Sequence, residues 1–317
     1  MASHWMRRGF VAAACASAAL LAACGSSTVE SAISPNRVIA FGDAFSDVGQ
    51  KGSAYTVNDG SVLNWTTQFA SHYGKTITPS SAGGTGYAQG NARLNITPDA
   101  AGNASTPTVT AQLDSFLASQ KFNGNDLITI NGGISDLIAG MRAVQAGTLT
   151  PAAYQTAARQ WGTDLGALVR RIVDAGGTHV VVAGVYNLGK SPWGIAIGQQ
   201  DLLYQANKQF NEGLNIAIVD LGRYVQYMDL EYYANLYVDS PGSFGFNNST
   251  TPVCTSVDAG NGIGTGTGQL NSSLCTTSTL LAGADQNKYL FADQVYFTPS
   301  ANRQFGTYTY DKVRLRW

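Results

Sequence analysis

The chain has 317 residues, 44% of them hydrophobic, and a formal net charge of −1. That is enough apolar material for a substantial core, and one large domain fits the length because nothing in mid-chain reads as a linker. Only 12% of residues are charged, about half the usual share, which leaves no basic field for nucleic acid and no acidic run for a cationic partner.

Residues 1–23 have the layout of a secretory signal. Arg7 and Arg8 precede an apolar stretch, Gly9 to Ala23, that is too short to span a bilayer. It closes on Leu21-Ala22-Ala23-Cys24-Gly25, which resembles a bacterial lipobox. The resemblance implies cleavage before Cys24, lipid on its sulfur, and an anchor of acyl chains in place of a transmembrane helix. No Asp follows Cys24, as in lipoproteins sent to the outer membrane, so the expected location is exported, lipid-anchored, and periplasmic or at the cell surface. Residues 24–36 read as a polar tether and 37–317 as the domain.

Export also bears on the cysteines. Cys15 lies in the signal, and the domain keeps only Cys254 and Cys275. A leftover pair in an oxidising compartment is expected to join, closing a loop of about twenty residues and contributing about 3 kcal/mol in the chain-entropy model. No His stands at ligand spacing from either, which argues against zinc.

Val38 to Asp47, Val-Ile-Ala-Phe-Gly-Asp-Ala-Phe-Ser-Asp, reads as a buried strand from Arg37 to Phe41, a tight turn and a helix start. Asn64 to Tyr73 is a helix capped by Asn64 and stopped by Gly74, and Val109 to Gln120 has helical spacing at Leu113, Phe116 and Leu117. Leu127 to Ile130 is a strand, followed by a helix to about Ala146. Pro151 opens a longer helix that ends at Ala175-Gly176, with Leu165, Leu168, Val169 and Ile172 on one face. A strand at His179 to Ala183, a helix over 199–221, a strand at Tyr224 to Asp229 and a final helix over 299–314 complete the pattern. Strands alternating with amphipathic helices predict an α/β fold: a three-layer α/β/α sandwich, flavodoxin-like, with a mostly parallel sheet. Residues 240–285, rich in Gly, Ser and Thr, break the pattern as one long loop, expected to be shaped by the disulfide and to overhang the site.

Four segments carry a resemblance. Gly42-Asp43-Ala44-Phe45-Ser46-Asp47, Tyr87 to Ala92, Gly133-Ile134-Ser135-Asp136 and Asp293-Gln294-Val295-Tyr296 stand in the order and spacing of the four blocks of the SGNH, or GDSL, ester hydrolases, the esterase and lipase family. The resemblance implies a serine nucleophile, a histidine base, an aspartate three residues before it, and oxyanion donors from a glycine and an asparagine. Carried over by position, the nucleophile falls on Ala44, the base on Tyr296, the aspartate on Asp293, and the oxyanion donors on Gly90 and Ser135.

A methyl group is no nucleophile, and a phenol with an ordinary pKa of about 10 is a poor base at neutral pH. The substitutions therefore point to an impaired or inactive relative, a pseudoenzyme, that binds an acyl ester, lipid or glycan in the old cleft. Alternatives are an active carboxylic ester hydrolase using other residues, and a surface structural or interaction protein. If the cleft is intact, Ala44→Ser with Tyr296→His creates activity. Outside the signal, His72 and His179 are the only histidines, and each reads as structural, as does Ser46. No cofactor is implied. Asp43, Asp136 and Asp293 approach one end of the sheet, but without a His ligand they make a poor metal set.

Overall fold

The computed structural model describes residues 33–61 and 64–317. The signal, the lipobox and Cys24 lie outside the described residues. Ile33 is buried and donates its N–H to the Trp317 carbonyl at 3.3 Å, so the end of the expected tether packs with the domain.

Four strands form one parallel sheet in the order of the chain: β1 (Arg37–Phe41), β2 (Asp126–Ile130), β3 (Val180–Ala183) and β4 (Val225–Met228). Val38 faces Leu127 across the first pair, and Val180 faces Val225 across the last. β2 and β3 are buried along their whole length, which explains the unbroken apolar sequence of β3 and the mostly apolar one of β2. Parallel strands put Gly42, Asn131 and Gly184 at the same, carboxyl, end of the sheet, where α/β folds place their ligands.

Helices complete the three layers. They are α1 (Trp65–Ser71), α2 (Val109–Ser119), α3 (Ile134–Gln145), α4 (Pro151–Asp174), α5 (Pro192–Ala196), α6 (Gln200–Ile218), α7 (Leu230–Asp239) and α8 (Pro299–Val313). α4 packs along α6 and α1 along α8. Asn64 caps α1 as its sequence suggests, accepting the Thr67 N–H while the Thr67 hydroxyl takes the Asn64 N–H. Thr150 with Pro151 starts α4, and Thr298 with Pro299 starts α8. No described helix is long and apolar enough to cross a membrane.

Three elements depart from the sequence reading. The helix expected after Asp43 does not form. Ser46 and Asp47 turn back onto the carbonyls of Asp43 and Ala44, and the Asp47 carboxylate then takes the N–H groups of Gly49 and Gln50 at 2.8 Å each. A side chain that satisfies the backbone this way stabilises a turn in place of a helix. α5 and α7 are additional. α7 is capped by Asp229 and buries Leu230, Ala234 and Tyr237, an i, i+4, i+7 stripe.

The 240–285 segment is shaped and not loose. Cys254 and Cys275 form the expected disulfide. Around it Val57, Val253 and Ala292 make a small buried cluster of their own. Ile263 is buried in the main core, and the Gly262 carbonyl accepts from Asn91 Nδ2 at 2.9 Å, so the loop lies over the glycine block.

Candidate active site

The turn after β1 is built around Gly42. Its φ of +151° is rarely open to an L side chain, and the space a Cβ would take is filled by the Asn131 side chain. Gln112 clamps the same residue, accepting its N–H and donating to its carbonyl at 2.9 Å each. Asp43 then accepts from the Phe45 N–H at 3.1 Å and from Asn131 Nδ2 at 2.7 Å. Burial pushes the Asp43 carboxyl up to about 6, with those hydrogen bonds opposing. Ala44 follows, 2% exposed, at the position the sequence assigns to a nucleophile.

The last block is fixed by the carboxylate of Asp293. It accepts the N–H groups of Val295 at 2.8 Å, Tyr296 at 2.7 Å and, from the disulfide loop, Ser272 at 2.9 Å. Burial raises its pKa, and hydrogen bonds led by Ser272 pull the other way. The carboxylate thus spends its acceptors on backbone and forms a turn. Tyr296 is fully buried, its hydroxyl has no hydrogen-bond partner among the described residues, and burial with the nearby Asp43 and Asp293 charges drives its pKa well above the usual value. Such a phenol neither accepts a proton nor donates one readily near neutral pH.

Of the expected oxyanion pair, Gly90 has its N–H engaged elsewhere. The Gly90 N–H is donated to the Asp47 carboxylate at 2.7 Å. Over Gly90 lies a residue that sequence reasoning missed: Tyr55, whose ring edge and hydroxyl fill the place of a Cβ there. Tyr55 also meets Tyr296 edge-on, ring centroids 5.6 Å apart. Its only signal in the sequence was an aromatic residue in a polar loop. Neighbours hold it: Thr56 Oγ1 donates to the Phe297 carbonyl at 2.7 Å, and the Asn58 N–H donates to the Cys275 carbonyl at 2.9 Å. Ser135, in the first turn of α3, is buried, and its hydroxyl has no hydrogen-bond partner among the described residues.

The cleft expected to persist is therefore packed shut. Ala44, Ser135, Asp293 and Tyr296 are each at most 2% exposed. Ala44, Asp43 and Ser135 belong to neighbouring strand ends, and the Asp43 and Asp293 charges both reach Tyr296, so the four blocks do converge. What they enclose is core.

The other candidates are engaged elsewhere. Ser46 Oγ accepts from Trp65 Nε1 at 3.0 Å. His72 stacks on Tyr310 of α8, and His179 packs against Trp317 at the amino end of β3, the end of the sheet opposite the turn. Asp136 takes Arg93 Nε at 3.2 Å and the Leu94 N–H at 3.0 Å, and burial still lifts its pKa to about 7. Among the described residues no group of three or more His, Cys, Asp and Glu could hold a metal ion.

Known proteins add the family. Among solved structures, the chain is similar to an aryl esterase from M. smegmatis at 16% identity and TM-score 0.45. It is likewise similar to Est24, a carbohydrate acetylesterase from Sinorhizobium meliloti, at 16% and 0.44, and to a lipolytic G-D-S-L family member from Veillonella parvula at 11% and 0.44. Each alignment covers 89% of this chain and 99% of the other. No curated protein matches the sequence. The family model for GDSL-like lipase/acylhydrolase matches residues 38–308, from the first strand into the last helix. The chain belongs to the GDSL-like lipase/acylhydrolase family.

Proposed function

We propose that this protein is an exported lipoprotein that keeps the GDSL scaffold without ester hydrolysis. The observation that carries the reading is the buried pair at the two catalytic positions: a methyl group at Ala44 and, at Tyr296, a phenol with no hydrogen-bond partner among the described residues. Two further features support it. The Gly90 N–H is already committed to Asp47, and Tyr55 occupies the space above it. An attacking group and a base are both needed for acyl transfer, and neither is available at its expected place.

In this reading the protein is held at a membrane surface through lipid on Cys24, and the signal, the lipobox and the residue after Cys24 together favour the outer membrane. Nucleic acid is not a partner. An acyl ester, lipid or glycan ligand is taken at the surface and not in the closed site.

Two measurements test the proposal. Purified full-length protein is assayed with p-nitrophenyl acetate and butyrate, and the expected rate equals that of a boiled control. Turnover that survives removal of contaminating esterases would overturn the inactive reading. Separately, Cys24→Ala is expected to move the protein from the membrane to the soluble fraction, and unchanged fractionation would overturn the anchor.

A further inference from the structure

A groove of about 500 Å³ opens beside β1, between the 80–89 loop and α2. Its size is within the usual range of small-molecule sites, about 300–1,000 Å³, but its chemistry is not the usual apolar one. No residue lining it is charged; glutamines and serines predominate around a single aromatic ring, Tyr87. The one charge that acts on the Tyr87 ring, the Arg37 guanidinium, is already held by Gln120 Oε1 at 2.6 Å and by Asp126 Oδ1 at 3.0 Å, and an acyl chain would strand the amides and hydroxyls without partners.

The walls are pre-set. Gln112 is locked on both backbone groups of Gly42, and Gln50 Nε2 is bonded to Ser80 Oγ at 3.0 Å and to the Gly86 carbonyl. The groups left over are the ones a ligand would use. The Gln89 side-chain amide and the Ser115 hydroxyl have no hydrogen-bond partner among the described residues, and both line the groove. Tyr87 Oη accepts only a long 3.4 Å contact from Gln120 Nε2, so its own proton is available. The Tyr87 ring is stacked on Phe41 at 5.3 Å, which fixes it, and it remains half-exposed beside the groove.

We propose that this groove binds a neutral glycan. A sugar ring offers what the lining asks for: many hydroxyls that donate and accept, and a C–H face that packs on an aromatic ring. Fixed walls reduce the ordering cost of binding. The groove is separate from the buried Ala44 and Tyr296 positions, and its occupancy is measured without reference to hydrolysis.

The test is calorimetric titration of the full-length protein, in a detergent without a sugar head group, with cellotetraose, maltotetraose and chitotetraose. Heparin oligosaccharide and phosphatidylcholine vesicles are the charged and lipid arms, and co-sedimentation with insoluble cellulose and chitin separates a polymer from a free chain. At least one neutral saccharide is expected to bind, with little change between low and high salt. Gln89→Ala, which removes one hydrogen-bonding group, should weaken binding about three- to tenfold. Ser115→Trp, at an exposed position on the wall, should abolish it with the melting temperature unchanged. Absence of binding by all the neutral saccharides, binding by heparin or vesicles alone, or full binding by a folded Ser115→Trp variant would each overturn the proposal.

Discussion

Tyr296→Phe separates a packing role from a chemical one at the position of the family's base. The ring is 1% exposed and packs edge-on against Tyr55, while its hydroxyl has no hydrogen-bond partner among the described residues. Phenylalanine keeps the ring and removes only the stranded oxygen. Burying a hydroxyl without a partner costs about 1–3 kcal/mol, so the variant should gain about 1–2 kcal/mol. In a domain of this size that is a rise of about 2–6 °C in melting temperature. Urea unfolding at pH 7, followed by far-ultraviolet circular dichroism, measures it, with an unchanged m value showing that the effect is on stability alone. A loss of about 1 kcal/mol or more would mean that the hydroxyl has a partner, and the account of Tyr296 as filler would fail. Tyr296→His supplies the contrast: it shrinks the ring and buries an imidazole, and should cost about 2–3 kcal/mol.

Ala44→Ser with Tyr296→His is expected to stay at background on p-nitrophenyl acetate, because Tyr55 still covers Gly90 and the Gly90 N–H still faces Asp47; clear turnover would show that the site opens. Asp43 should leave a mark on the pH dependence of stability. Burial raises its carboxyl from 3.8 to about 6, so the folded state holds the proton more tightly, and the stability this confers is full below about pH 3.8 and lost as pH rises through 6. Wild type should therefore lose about 2 kcal/mol relative to Asp43→Asn between pH 4 and 6.5, and parallel stability curves would contradict it. Replacing Cys254 and Cys275 together by Ser should cost about 3 kcal/mol and speed hydrogen exchange at the Asn58 amide, which donates to the Cys275 carbonyl; unchanged exchange there would show that the bridge does not hold the Tyr55 segment.

The sequence made the sheet legible because periodic and unbroken apolar runs are local signals. β1 to β4 lie within a residue of where the pattern puts them, and the Asn64 cap and Pro151 start are local as well. α7 also has a local signal, in Asp229 and the Leu230, Ala234, Tyr237 stripe, but its cap residue is also the last residue of the strand pattern at Tyr224 to Asp229. The four blocks were readable because each is short and contiguous. The packing around them was not. Whether a cleft stays open depends on Tyr55, which lies 35 residues before Gly90 and 241 before Tyr296 in the chain, and on backbone donors such as the Gly90 N–H, whose partner is set by tertiary structure. No period or motif encodes such contacts.

The packing of Tyr296 under Tyr55 also makes the present residue set hard to leave by single steps. A histidine placed alone at 296 would exchange a filled volume for a smaller, polar ring, and a serine placed alone at 44, a position 2% exposed, would bury a hydroxyl. Each costs stability before any chemistry returns, against a total margin of about 5–15 kcal/mol for a typical protein. Core packing here thus holds the present residues in place: each single change toward the family's catalytic pair passes through a less stable protein.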